Sequence, residues 1–199
     1  MAGRRVLILF AHPAFHKSRV NRRLVAAVRQ LEGVTFHDLY EEYPDFNIDV
    51  AREQTLLLEH DPIVLQHPMF WYSGPAIIKE WLDLVLEFGF AYGPGGTRLH
   101  GKSLLQAITA GGAVQAYSRS GYNRFTIREL LTPFEQTARL CGMRYLTPFV
   151  VYGTRTLETE DAIRPYALAY RRTIERLRDG ELLDREDPVQ LQTTANPAR

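Results

Sequence analysis

Three short stretches carry residue types from which a ligand site can be built. The first, Ala11-His12-Pro13-Ala14-Phe15-His16-Lys17-Ser18-Arg19-Val20-Asn21, runs from an apolar segment into a helical pattern. A helix N-terminus presents unpaired N–H groups and partial positive charge, which suits a phosphate. Ser18 can cap that helix and still donate its hydroxyl, while His12 and Asn21 add donors. The alternative is an ordinary strand-to-helix loop. The second stretch, His67-Pro68-Met69-Phe70-Trp71-Tyr72-Ser73-Gly74-Pro75, sets four large side chains between two prolines. A core aromatic cluster is the usual explanation for such a run. A planar ring lying against the loop accounts better for so much apolar area outside a regular element. In the third stretch, Thr109-Ala110-Gly111-Gly112, paired glycines let the backbone approach a ligand closely, or make a tight turn.

Other chemistries find no support. Gly93, Gly95 and Gly96 lie between a helical pattern and a strand, the wrong context for a dinucleotide fingerprint. No G-x-S-x-G nucleophile elbow occurs. His37, His60 and His100 lack metal-ligand spacing, so no metal site is expected and solvated or core roles are assigned to them. Cys141 is the only cysteine, which excludes a disulfide framework, a cysteine-based zinc site and a CxxC pair within one chain. Near a helix end and with no evident basic partner, it reads as a buried, inert thiol.

The elements that must position these loops follow from hydrophobic periodicity. Val6–Phe10 is a continuous apolar run stopped by His12-Pro13, the pattern of a strand covered on both faces. Apolar residues at Val20, Leu24, Ala27, Val28 and Leu31, with Gly33 after them, predict a helix. Further strands are predicted at Val34–Leu39, Pro62–Gln66, Ser103–Thr109 and Phe149–Tyr152. Further helices are predicted at Val50–Glu59, from Pro75 as first helical residue through Leu86, and from Glu160 to Asp179. Tyr40–Asn47 and the glycine-rich 89–101 read as loops. Thr132-Pro133-Phe134-Glu135 reads as a capping box for a helix ending near Gly142, with Arg128–Leu131 a separate turn before it. Strands alternating with helices imply an α/β three-layer sandwich on a five-stranded parallel sheet. Ligands then bind beyond the carboxyl ends of the strands, where all three stretches fall.

Composition bounds the class. The 199 residues suit one domain, taken as 1–183, with a polar tail at 184–199 that is frayed or swapped onto a partner. At 45% hydrophobic and 24% charged residues the chain is globular rather than disordered. A net charge of +1 gives no general attraction to nucleic acid or anionic membrane. The N-terminal apolar run is too short for a signal core or a membrane span, so no direct membrane insertion is expected. A reducing cytoplasm is the simplest compartment. Phe88, Phe90 and Tyr92, with the aromatic run near Trp71, offer more apolar area than one small domain readily buries, which points to a homodimer.

Taken together, several strings resemble the flavodoxin-like NAD(P)H:quinone oxidoreductases, and among them the ancillary proteins of glutathione-regulated potassium-efflux systems. The strings are Ala11-His12-Pro13, Ser18 through Asn21, Tyr43 through Asp49, Gln66-His67-Pro68-Met69, Trp71-Tyr72 with Pro75, and Lys79, Trp81 and Asp83. They continue with Ala91-Tyr92-Gly93, Gly95-Gly96-Thr97, His100-Gly101-Lys102, and Thr109 with Gly111-Gly112. Their order and spacing cover about residues 5–152.

The resemblance implies a non-covalent flavin and a homodimer with sites at the interface. It implies FMN, with FAD as the alternative carried by mammalian relatives, and NAD(P)H as electron donor. By position, His12, Ser18, Arg19, Val20 and Asn21 surround the flavin phosphate and ribityl chain. Met69, Phe70, Trp71 and Tyr72 line the isoalloxazine, and Thr109, Ala110, Gly111 and Gly112 hold its pyrimidine edge. Tyr117 matches a tyrosine that the mammalian enzymes place over the flavin. Their histidine six residues later is Asn123 here, and an amide can orient a ligand but not exchange a proton near neutral pH. Residues 113–124 and the tail fit the efflux group poorly. The implied activity is two-electron reduction of a quinone by hydride transfer, donor and acceptor using one site in turn. The alternatives are a regulatory subunit docked on a potassium-efflux channel, peripheral to the inner membrane through that partner, and a flavodoxin-type electron carrier.

Overall fold

A computed structural model describes residues 3–181. In chain order the elements are β1 (Val6–Phe10), α1 (Arg19–Val28), β2 (Val34–Asp38), α2 (Leu39–Glu42) and α3 (Val50–Glu59). Then come β3 (Ile63–Pro68), α4 (Ala76–Val85), β4 (Ser103–Thr109), α5 (Ile127–Leu130) and α6 (Thr132–Leu140). β5 (Arg144–Tyr145), β6 (Phe149–Val151) and α7 (Glu160–Arg178) complete them. All strand pairs are parallel, in the order β2-β1-β3-β4-β5. The expected strand at Phe149–Tyr152 is β6, one residue shorter, and the two-residue β5 before it is a sixth strand that the sequence pattern does not predict. Arg144 and Tyr145 pair with the start of β4, and Phe149–Val151 pairs with its end.

The sheet is the middle layer of three. Along β1 the pleat sends Leu7 and Leu9 to one face with Leu65, Ile77, Trp81 and Phe134. Val6 and Ile8 go to the other, with Leu24, Val28, Tyr170 and Ile174. Every residue of β1 is fully buried, as its unbroken apolar run requires, whereas the edge strand β2 is only half-buried. This is the flavodoxin-like architecture expected, with α1 and α7 on one face and α3, α4 and α6 on the other.

Local chemistry explains where the boundaries move. β2 stops at Asp38, one residue early, because the Asp38 carboxylate accepts from Tyr40 N–H (3.1 Å) and starts α2 inside the expected loop. Pro75 is the N-cap of α4 rather than its first residue. The capping box lies at Thr126 and Glu129, on α5, not at Thr132 and Glu135. Thr132 has turned its hydroxyl back to Glu129 O (2.8 Å), and Glu135 is drawn to Arg139 (2.7 Å), so neither is available to cap α6. The expected domain end at 183 and the tail 184–199 lie outside the described residues.

Candidate functional site

The loop after β1 is built around a cap. Ser18 Oγ accepts from Asn21 N–H (3.2 Å) and from Asn21 Nδ2 (3.1 Å), which fixes the start of α1. The second Nδ2 hydrogen goes to Thr109 Oγ1 (3.0 Å), tying this loop to the end of β4. Asn21 is 2% exposed, and its Oδ1 has no hydrogen-bond partner. His12 Nδ1 accepts from Ala14 N–H (3.1 Å), so the neutral ring carries its proton on Nε2. Burial lowers its pKa and keeps it neutral. Arg19 is exposed, but Val20 departs from the expectation for its neighbours. Its side chain is in the core against α7, leaving only its backbone to serve a ligand.

The loop after β3 resolves the choice between core cluster and exposed platform. Met69 is half-buried and donates its N–H to Thr109 O (2.8 Å). Phe70 and Ser73 exchange both backbone hydrogen bonds at 3.0 Å, closing a two-residue turn on Trp71 and Tyr72. Both central residues are left-handed, with φ of 50° and 64°. A turn with positive φ at both centres normally selects Asn-Gly, since each bulky residue there costs about 1–2 kcal/mol. The result is exposure. Trp71 is 94% and Tyr72 48% accessible, while Phe70 leans edge-on toward the His12 ring at 5.9 Å.

The loop after β4 is the third wall. Ala110 is buried, and its N–H donates to Val151 O (2.8 Å). A Cβ on Gly112 would come within 3.2 Å of the Tyr117 ring, so glycine admits that ring closely. The half-buried Tyr117 has its hydroxyl against Gly112 N–H and its ring 5.6 Å from that of Tyr152. Burial raises its pKa above the ordinary value, so the hydroxyl keeps its proton at neutral pH. Among the described residues, Asn123 makes no hydrogen bond to the Tyr117 hydroxyl. Its Oδ1 accepts from Tyr72 OH (3.3 Å), linking the aromatic turn to residues 113–124.

Two buried polar arrangements support these loops and were not anticipated. Tyr145 OH donates to Gln106 Oε1, Gln106 Nε2 donates to His67 Nε2 (3.2 Å), and His67 Nδ1 donates to Pro68 O (3.0 Å). Full burial brings the His67 pKa down to about 4. On the same side of the sheet, Glu53 accepts from His37 Nε2 (2.7 Å), Tyr43 OH (2.6 Å) and Trp81 Nε1 (2.7 Å). His37 thus has a core role, as does His60, bonded to Thr35 Oγ1 (2.7 Å), while His100 is exposed. Cys141 is buried, and burial pushes its thiol pKa up. Tyr152 and Arg155 also reach the site. Only the loops after strands one, three and four were expected to build it; their signal was simply their place after the last strand.

Comparison with known proteins agrees with this architecture. The flavodoxin-like fold family matches residues 4–174. The glutathione-regulated potassium-efflux system ancillary protein KefG of Serratia proteamaculans is 51% identical over 166 residues, 83% of this chain and 90% of that protein. A structure of general stress protein 14 from Treponema denticola in complex with FMN is 36% identical, with a TM-score of 0.80 over 87% of this chain and 97% of that one. An NADPH-quinone reductase structure from P. pentosaceus is 35% identical, with a TM-score of 0.77 over 85% and 96%. The chain belongs to the flavodoxin-like fold family and is similar to its NAD(P)H:quinone oxidoreductases and KefG proteins.

Proposed function

We propose that the chain is an FMN-dependent NAD(P)H:quinone oxidoreductase, two-electron in stoichiometry, with donor and acceptor using one site in turn. The observation that carries this reading is the strained Phe70–Ser73 turn, which holds Trp71 and Tyr72 out of the core where a flat ring can stack. Strain of this kind persists where a ligand site makes use of it.

The residues present fit a flavin. The buried Asn21 Oδ1, without a partner, suits a ribityl hydroxyl. The start of α1, with the Ser18 hydroxyl, His12 Nε2 and exposed Arg19, suits one phosphate. Met69 to Tyr72 would line the ring, and Thr109 to Gly112 its pyrimidine edge. A bound flavin supplies the redox chemistry, taking a hydride from the nicotinamide and passing two electrons to the acceptor. The chain's own work is positioning and proton supply. Tyr117 keeps a hydroxyl proton at neutral pH beside Gly112, and Asn123 orients through Tyr72.

The identity of the flavin favours FMN because one helix N-terminus seats one phosphate, and the FMN-bound protein from Treponema denticola is similar over most of its length. Heat release and chromatography distinguish FMN from FAD. Purified protein should be yellow, bleach anaerobically with NADPH and recover colour with a quinone. Failure to take up either flavin would end this reading. A second role, docking on a potassium-efflux channel from the cytoplasmic side, is favoured by the 51% identity to KefG. No described helix is long and apolar enough to cross a membrane, so such contact would run through a protein.

A further inference from the structure

The segment after β6 carries a charged group that the proposed function leaves unused. Ala110 N–H donates to Val151 O (2.8 Å), Gly153 N–H to Gly112 O (2.8 Å) and Thr154 N–H to Ala110 O (3.1 Å). These bonds lace the loop before α7 to the loop after β4, and they fix the backbone of Arg155 beside Gly111. A Cβ on Gly111 would lie 3.0 Å from Arg155 Nε, 3.6 Å from its Cγ and 3.7 Å from its Cδ. The arginine side chain therefore lies across the face of Gly111, and the missing side chain there is what admits it. Arg155 is exposed, and among the described residues it has neither an ion pair nor a hydrogen bond. Burial raises the pKa of the neighbouring Tyr117 hydroxyl, and the Gly112 N–H and, more weakly, the Arg155 charge offset part of that rise.

An unpaired guanidinium beside the loop favours negative charge on whatever the loop holds. Two electrons and one proton convert the neutral oxidised flavin ring to a monoanion, so one negative charge appears at the ring. We infer that Arg155 stabilises the reduced, anionic form of the bound flavin over the oxidised form and so raises its reduction potential. The inference rests on the proposed function, which puts the pyrimidine edge of the ring at Thr109–Gly112.

The test uses wild type, Arg155→Gln and Arg155→Lys, each loaded with FMN. Oxidised FMN affinity is read by fluorescence titration, and the midpoint potential by equilibration with a reference dye under dithionite. Arg155→Gln should bind oxidised FMN within about threefold of wild type. It should bind the reduced form about tenfold less tightly, a midpoint lower by about 30 mV for a two-electron couple. Arg155→Lys, which keeps the charge, should recover at least half of that loss. An unmoved midpoint, equal weakening of both forms, or a lysine variant no better than glutamine would each overturn the assignment while leaving the proposed function intact. A wild-type chain that binds no FMN would overturn both.

Discussion

Asn21 on α1 and Thr109 at the end of β4, 88 residues apart in the chain, are joined by a 3.0 Å hydrogen bond. Both amide hydrogens of Asn21 are thereby spent, one on Ser18 and one on Thr109, and only its buried Oδ1 is left unpaired. Asn21→Ala should weaken FMN binding about tenfold and lower stability by about 1–2 kcal/mol, the range for losing a buried hydrogen-bonding group. Fluorescence titration and urea unfolding read the two effects. Unchanged FMN affinity would remove Asn21 from the site.

Tyr117→Phe should lower turnover about tenfold to a hundredfold, the modest end of general-acid effects, with flavin content unchanged. Since burial holds the hydroxyl pKa above its ordinary value, the wild-type rate should stay flat with respect to this group through neutral and mildly alkaline pH. Asn123→His should add a rate dependence between about pH 6 and 8, where imidazole titrates. Stopped-flow measurement of both half-reactions checks these outcomes, and wild-type rates in Tyr117→Phe would make the tyrosine a bystander.

Acid should destabilise the fold in two steps. His67 has its folded pKa lowered from 6.5 to about 4, so between those values the unfolded chain takes up a proton that the folded chain refuses. Its contribution is full above pH 6.5 and drains away as pH falls toward 4. For Glu53, burial pushes the pKa up, but hydrogen bonds from His37, Tyr43 and Trp81 outweigh it and the folded value lies below 4.5. That contribution is complete above 4.5 and is lost as pH falls through the lower folded value. Urea midpoints should therefore drop from pH 7 to 5, a drop that His67→Gln flattens. Glu53→Ala should cost about 3–5 kcal/mol at pH 7, because it strands three buried donors.

Homodimer formation is expected from the exposed apolar side chains. Trp71 and Tyr122 are 94% and 90% accessible, and Phe88 and Phe125 exceed half. Sedimentation of wild type at micromolar concentration should give twice 22.8 kDa, and Phe88→Asp should shift it toward the single chain. A wild-type monomer with flavin bound would refute the dimer.

Local signals were legible and distant ones were not. β1, β4 and α3 are readable at both ends because an apolar run or a helical stripe between polar stops needs no tertiary information. The two-residue β5 exists only through its pairing with β4, which no local pattern records. The Glu53 hub gathers donors 10, 16 and 28 residues away, a separation that no periodicity reveals. Of the site, the three loops were readable from residue type, since capping residues, an aromatic run and paired glycines each have a narrow use. Arg155 was not, because an arginine in a loop is ordinary until the backbone bonds beside Gly111 fix where it lies.

The turn at Phe70–Ser73 sets two demands on this chain against each other. Glycine at position 71 or 72 would relieve a left-handed backbone that tryptophan and tyrosine adopt at a cost, so the free protein would gain stability. The same change would delete the exposed faces on which the proposed ligand rests. Selection for heat resistance alone would drift toward small residues here and yield chains that last longer and do less. Selection that also asks for turnover, or for the paired chain, keeps Trp71 and Tyr72 in place.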